Sequence, residues 1–86
     1  MFPSQPEAEG TIDTLTPGSR YQILQSFTDY DGNRFNQGEV LRFQERHFLP
    51  YAGGHTIVFE ERSLFLQEEV NADILAHFSA YLDKVP

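Results

Sequence analysis

Hydrophobic positions along this chain follow two rhythms. Between Tyr21 and Gln67 they alternate with polar residues in short runs, and beyond Val70 they recur at three- and four-residue spacing. Alternation places successive side chains on opposite faces of a strand, whereas the longer spacing builds one stripe on a helix. Arg20 to Thr28 therefore predicts a strand of mixed exposure, and Val40 to Glu45 a second, with Leu41 and Phe43 sharing a face. Phe48 and Leu49 close that strand before Pro50, which cannot donate to a ladder. Thr56-Ile57-Val58-Phe59 is β-branched and aromatic, as a third strand requires. Ser63 to Gln67 reads as a fourth, with Leu64 and Leu66 pointing one way and Phe65 the other. Phe48 and Phe59 are expected in the core. Ile74, Leu75, Phe78, Tyr81 and Leu82 then form the stripe of an amphipathic helix over about 72–84, with Asn71 as its N-cap and Asp73 in its first turn.

Turn chemistry separates these runs. Thr16-Pro17-Gly18-Ser19, Asp29-Tyr30-Asp31-Gly32-Asn33 and Asn36-Gln37-Gly38-Glu39 each supply residues that favour tight reversals, and Gly53-Gly54 permits the turn out of Pro50-Tyr51. Residues 1–10 carry Pro3, Pro6 and Gly10 without hydrophobic periodicity and read as a flexible N-terminal tail, after which Ile12 and Leu15 dock on the body. The expected architecture is mainly β: a small SH3-like β-barrel of about five short antiparallel strands with a C-terminal amphipathic α-helix, forming one domain over 11–86.

Composition narrows the picture. Eight Phe and four Tyr supply the core of a chain that has no cysteine, so neither disulfides nor thiolate metal sites are available. Lack of cysteine fits a reducing cytoplasm. The first residues have neither the basic nor the apolar stretch of a signal peptide, and no apolar run approaches the roughly 20 residues that span a bilayer. A net charge of −7, with only six Lys and Arg scattered among acids, opposes binding to nucleic acid or to anionic membranes. It leaves a solvated acidic surface, or an acidic face for a basic partner.

The segments Phe27-Thr28-Asp29-Tyr30-Asp31-Gly32 and Phe48-Leu49-Pro50-Tyr51, with the glycines and aromatics around them over about 15–67, resemble a family of small bacterial proteins of unknown function. That resemblance implies a bacterial setting and no catalytic residues. Phe27 to Tyr30 followed by Arg34 to Leu41 is also similar to the first hairpin loop and diverging turn of SH3-like barrels, whose aromatics hold extended proline-rich peptides. The likeness implies that Tyr30 and Tyr51 could serve in the same way.

Candidate chemistry is sparse. Asp29-x-Asp31-Gly32-Asn33 begins like a calcium loop, but its glycine comes too early and Val40 stands where a bidentate Glu is needed. His47, His55 and His77 match no zinc spacing, the serines have no nucleophile motif, and Gly53-Gly54 has no lysine or helix to hold a phosphate. The sequence thus predicts no enzyme, no cofactor and no bound metal. It predicts a non-catalytic module for a protein or peptide partner, with Asp29, Tyr30, Tyr51 and His55 as the candidate surface. The alternatives are small-ligand or metal binding by the 47–55 loop, and self-association, the chain being a monomer or a homodimer through the C-terminal helix.

Overall fold

The computed structural model describes residues 15–86. The expected tail over 1–10 and the docking of Ile12 lie outside the described residues. In chain order the elements are β1 (Arg20–Ile23), β2 (Phe27–Thr28), β3 (Arg34–Phe35), β4 (Val40–Leu49), β5 (Gly54–Phe59), β6 (Ser63–Gln67), α1 (Ala72–Ala76), α2 (Phe78–Tyr81) and β7 (Leu82–Lys84). Five strands form one antiparallel sheet in the order β6-β5-β4-β1-β7, and β2 and β3 form a separate hairpin. The domain is mainly β with a C-terminal helical segment, as expected. Its sheet stays open, however, with β6 and β7 at its two edges rather than paired into a barrel.

One face of the sheet carries the core. Tyr21 and Ile23 of β1, Leu41 and Phe43 of β4, Ile57 and Phe59 of β5, and Leu64 and Leu66 of β6 are all buried on it. The registers Tyr21↔Leu41, Phe43↔Phe59 and Ile57↔Leu64 line these positions up across the strands. Phe27 and Phe35 of the small hairpin stack at 5.2 Å, and with Ile74 and Phe78 from the helices they complete the buried cluster. Arg62 clamps the hairpin from outside: its guanidinium lies 3.9 Å from the Phe35 ring and pairs with Glu39 at 3.3 Å.

The expected first strand divides in two. Leu24, Gln25 and Ser26 leave the sheet so that Phe27 can turn over the core face, and their polar groups find partners outside any ladder. Leu24 N–H donates to the Tyr81 carbonyl at 2.7 Å, and the Ser26 hydroxyl accepts the Gln37 N–H at 2.9 Å. The second strand is longer than expected, because β4 runs on past the end of β1 as an arm paired with β5, which β6 flanks along its other side. Gln44 is an extra residue in that ladder, since Phe43 pairs with Phe59 while Glu45 already pairs with Val58. Downstream of this bulge Arg46 and Phe48 share the face of Ile57, and Glu45, His47 and Leu49 share the face of Val58 and Thr56.

The predicted helix over 72–84 is a correction. It breaks at His77, and from Leu82 the chain is extended and pairs with β1 through Ile23↔Leu82 and Tyr21↔Lys84. The free edge of β1 is a stronger partner for these last backbone groups than another helical turn. Leu82 is buried in the strand, as the apolar stripe expects of it in a helix, so the spacing does not mark the change. Ile74 and Phe78 are buried within the chain as well. Asn71 does occupy the N-cap, but its side chain makes no capping bond. No described helix is long and apolar enough to cross a membrane.

Candidate functional site

Two reversals distant in sequence meet on the sheet face opposite the core. The first is the β2–β3 tip. Thr28 pairs with Arg34, and Gly32 adopts φ 89°, the left-handed conformation that the Asp31-Gly32 pair was expected to supply. Asp29, only 4% exposed, organises the tip. Its Oδ1 accepts the Asn33 N–H at 2.8 Å, and its Oδ2 accepts the Phe65 N–H of β6 at 3.0 Å. The next residue completes the junction, with Tyr30 N–H donating to the Phe65 carbonyl at 2.9 Å. The tip thus behaves as one rung of an additional strand on the β6 edge.

Asn71 does the same two residues along. Its Oδ1 accepts the Gln67 N–H at 2.8 Å, and its own N–H donates to the Gln67 carbonyl at 2.8 Å. Asp29 and Asn71 are the buried polar residues of the described chain, and both occupy the outward hydrogen-bonding positions of β6. Their burial therefore has a structural cause: they cover an edge that would otherwise be open to another strand.

The second reversal is the end of the β4–β5 arm. Gly53 N–H donates to the Leu49 carbonyl at 2.9 Å, and Gly53 takes φ 66°. Gly54 is required for a different reason. A Cβ there would stand 2.5 Å from the Leu66 carbonyl oxygen and 2.7 Å from Cζ of Phe65, so the Phe65 ring can lie over β5 only because this position has no side chain.

Between the tip and the arm lies a groove of about 460 Å³. Leu49 and Ala52 form one wall, Tyr30 and Asp31 the other, and Thr56 and Phe65 lie between them. The Tyr30 and Phe65 rings meet edge to face at 5.6 Å, and Tyr30 remains 50% exposed. The volume falls within the range of small-ligand and side-chain sites. Asp29 and Asp31 are among its lining residues, and no Lys, Arg or His is, among the described residues.

The four candidate residues are thus divided. Asp29 and Tyr30 line the groove. Tyr51 stands on the neighbouring turn with its side chain wholly in solvent, at 105% relative exposure. His55 lies on the opposite face of the arm, where its Nε2 is 3.2 Å from Glu68 and its Nδ1 3.3 Å from Arg46. The Phe48 ring covers it at 5.1 Å. Phe48 is a correction: it faces the core side but lies on the part of the arm that extends beyond β1, and is 47% exposed rather than buried. His47 pairs with Glu45 at 3.4 Å on the groove face, so the two histidines of the 47–55 loop are on opposite faces of the sheet. Among the described residues no three acidic or histidine side chains converge as metal ligands would.

Sequence reasoning did not single out Leu49, Thr56 or Phe65 as site residues. The outward direction of Phe65 was legible from alternation, and it was the signal that could have found the groove. An aromatic on the face away from Leu64 and Leu66 needs a cover of its own.

No protein-family profile matches the chain, and no curated protein matches it. Among solved structures, the chain is similar to an integron cassette protein from the mobile metagenome of Vibrio cholerae. The two are 28% identical, with a TM-score of 0.79, over 85% of this chain and 91% of that one.

Proposed function

We propose that this chain is a non-catalytic interaction module that holds an extended segment of a partner protein in the groove between the β2–β3 tip and the β4–β5 arm. The observation that carries this reading is the groove itself. Aliphatic and aromatic walls converge there, while Asp29, the buried polar residue beside it, is engaged by backbone N–H groups of the fold. A slot walled by Leu49, Ala52, Tyr30 and Phe65 suits capture of a side chain, whereas bond-breaking chemistry needs an activated nucleophile or a positioned acid–base pair. Tyr51, beside the slot and without a structural task, offers an aromatic surface for the residues that flank the captured one. The likeness to a cassette protein of Vibrio cholerae supports a bacterial setting, and the absence of cysteine suits its reducing cytoplasm.

A random peptide library displayed on phage and panned on the full chain tests the reading. The enriched peptides are expected to bind the parent protein and to lose at least about tenfold in affinity, or 1.4 kcal/mol, when Tyr30→Ala or Leu49→Ser removes a wall. Tyr51→Ala should weaken them by a smaller factor. Peptides that bind the two wall variants as well as the parent would place the interaction elsewhere and overturn the proposal.

A further inference from the structure

The charge of the groove names its occupant more closely. We propose that the slot takes an arginine side chain from the partner's extended segment, an inference that rests on the interaction reading above. Asp31 lines the opening, and Asp29 lies behind the same wall. The Asp29 carboxylate is held by N–H groups of Asn33 and Phe65 and has no salt-bridge partner among the described residues. Backbone dipoles stabilise that charge but do not cancel it, so the wall stays negative toward the groove. Among the described residues no cationic side chain lines the slot to offset either acid.

The rest of the lining fits the same group. A guanidinium is planar, weakly hydrated and stacks on aromatic faces, and Tyr30 and Phe65 place two rings at 74° to one another in the groove. Leu49 and Ala52 provide an aliphatic wall for the three methylenes that precede the guanidinium. Asp31 can then accept hydrogen bonds from the head at the opening. A net charge of −7 draws a basic segment toward this face and opposes a second copy of the chain, whose acidic groove rim would meet this one.

The test is a titration of the uniformly ¹⁵N-labelled full chain, followed by amide chemical shifts. The probes are four capped pentapeptides, Ala-Leu-Arg-Leu-Ala and its forms with citrulline, glutamate or leucine at the centre. The arginine peptide is expected to shift the amides of Tyr30, Asp31, Thr56 and Phe65 saturably, and more weakly as salt is raised. Citrulline keeps the shape and removes the charge, and its peptide should bind about fivefold to tenfold more weakly. Asp31→Asn, an exposed substitution that leaves the rest of the spectrum in place, should reduce the arginine affinity by a similar factor and leave the citrulline affinity nearly unchanged. Equal binding of the arginine, citrulline and leucine peptides would overturn the arginine assignment while leaving the groove as a docking site. Absence of shifts at these amides with all four would overturn both. Concentration-dependent shifts of the same amides in the protein alone would assign the groove to a second copy, and would likewise overturn the proposal.

Discussion

Replacing Asp29 by alanine removes the group that joins the β2–β3 tip to the edge of β6, and the cost can be worked from its bonds. Two backbone donors lose their acceptor: Phe65 N–H at 3.0 Å and Asn33 N–H at 2.8 Å. The Phe65 donor lies beneath the tip, where loss of a hydrogen bond to a charged group costs about 1.5–3 kcal/mol. Asn33 is exposed, so water recovers most of its bond and the loss is about 0.5–1 kcal/mol. The sum is about 2–4 kcal/mol, against roughly 4–13 kcal/mol for the total stability of an 86-residue domain. Asp29→Asn keeps one oxygen for one donor and turns an NH₂ toward the other, so about half the loss is expected. Urea unfolding followed by far-ultraviolet circular dichroism measures both variants, with midpoints lowered and slopes unchanged. An alanine variant within about 0.5 kcal/mol of the parent would refute the edge-bridge reasoning.

Other substitutions separate the fold from the site. Gly54→Ala, which in an open strand gains a few tenths of a kcal/mol, should here cost about 2–3 kcal/mol by overpacking, because two of the three atoms a Cβ meets within 3 Å are backbone atoms of β6. A urea midpoint equal to or above the parent's would contradict that. Phe35→Ala should cost about 3–5 kcal/mol, since the ring is fully buried, stacked on Phe27 and covered by Arg62. Phe48→Ala on the projecting arm should cost about 1 kcal/mol or less. Calorimetric midpoints that reverse this order would mean that the arm belongs to the core.

Alternation made the strands and their buried faces legible. Tyr21, Ile23, Leu41, Phe43, Ile57, Phe59, Leu64 and Leu66 are buried where a period of two places them. The Thr16–Ser19 and Asn36–Glu39 turns close with the expected backbone bonds, at 3.1 Å each. What local pattern could not carry was competition between distant partners. The last three residues of the expected helix become β7 because the edge of β1, some sixty positions earlier, is open to them. Asn71 has the right identity for a cap, yet its side chain serves the β6 edge. The site was legible in half. Asp29 and Tyr30 belong to the groove, but its other wall forms only when β4 and β5 pair up beside β6, and periodicity does not report that approach. Tyr51 and His55, the other two candidates, lie outside the slot.

The bulge at Gln44 has a bearing on how such a surface could diversify. The ladder already matches Glu45 with Val58 around the extra residue, so losing Gln44 would leave every later side chain on its present face. What would change is the local bend and twist that a bulge imposes, and with them the direction in which the arm leaves the body. Leu49 would move relative to Tyr30 while both remained groove residues. Chain length at a position outside the lining thus bears on the end of β4 that carries Leu49. Loss of that one residue would re-aim the end of the strand without altering a residue of the groove, and the core pairs that precede it, Tyr21 with Leu41 and Phe43 with Phe59, would keep their register.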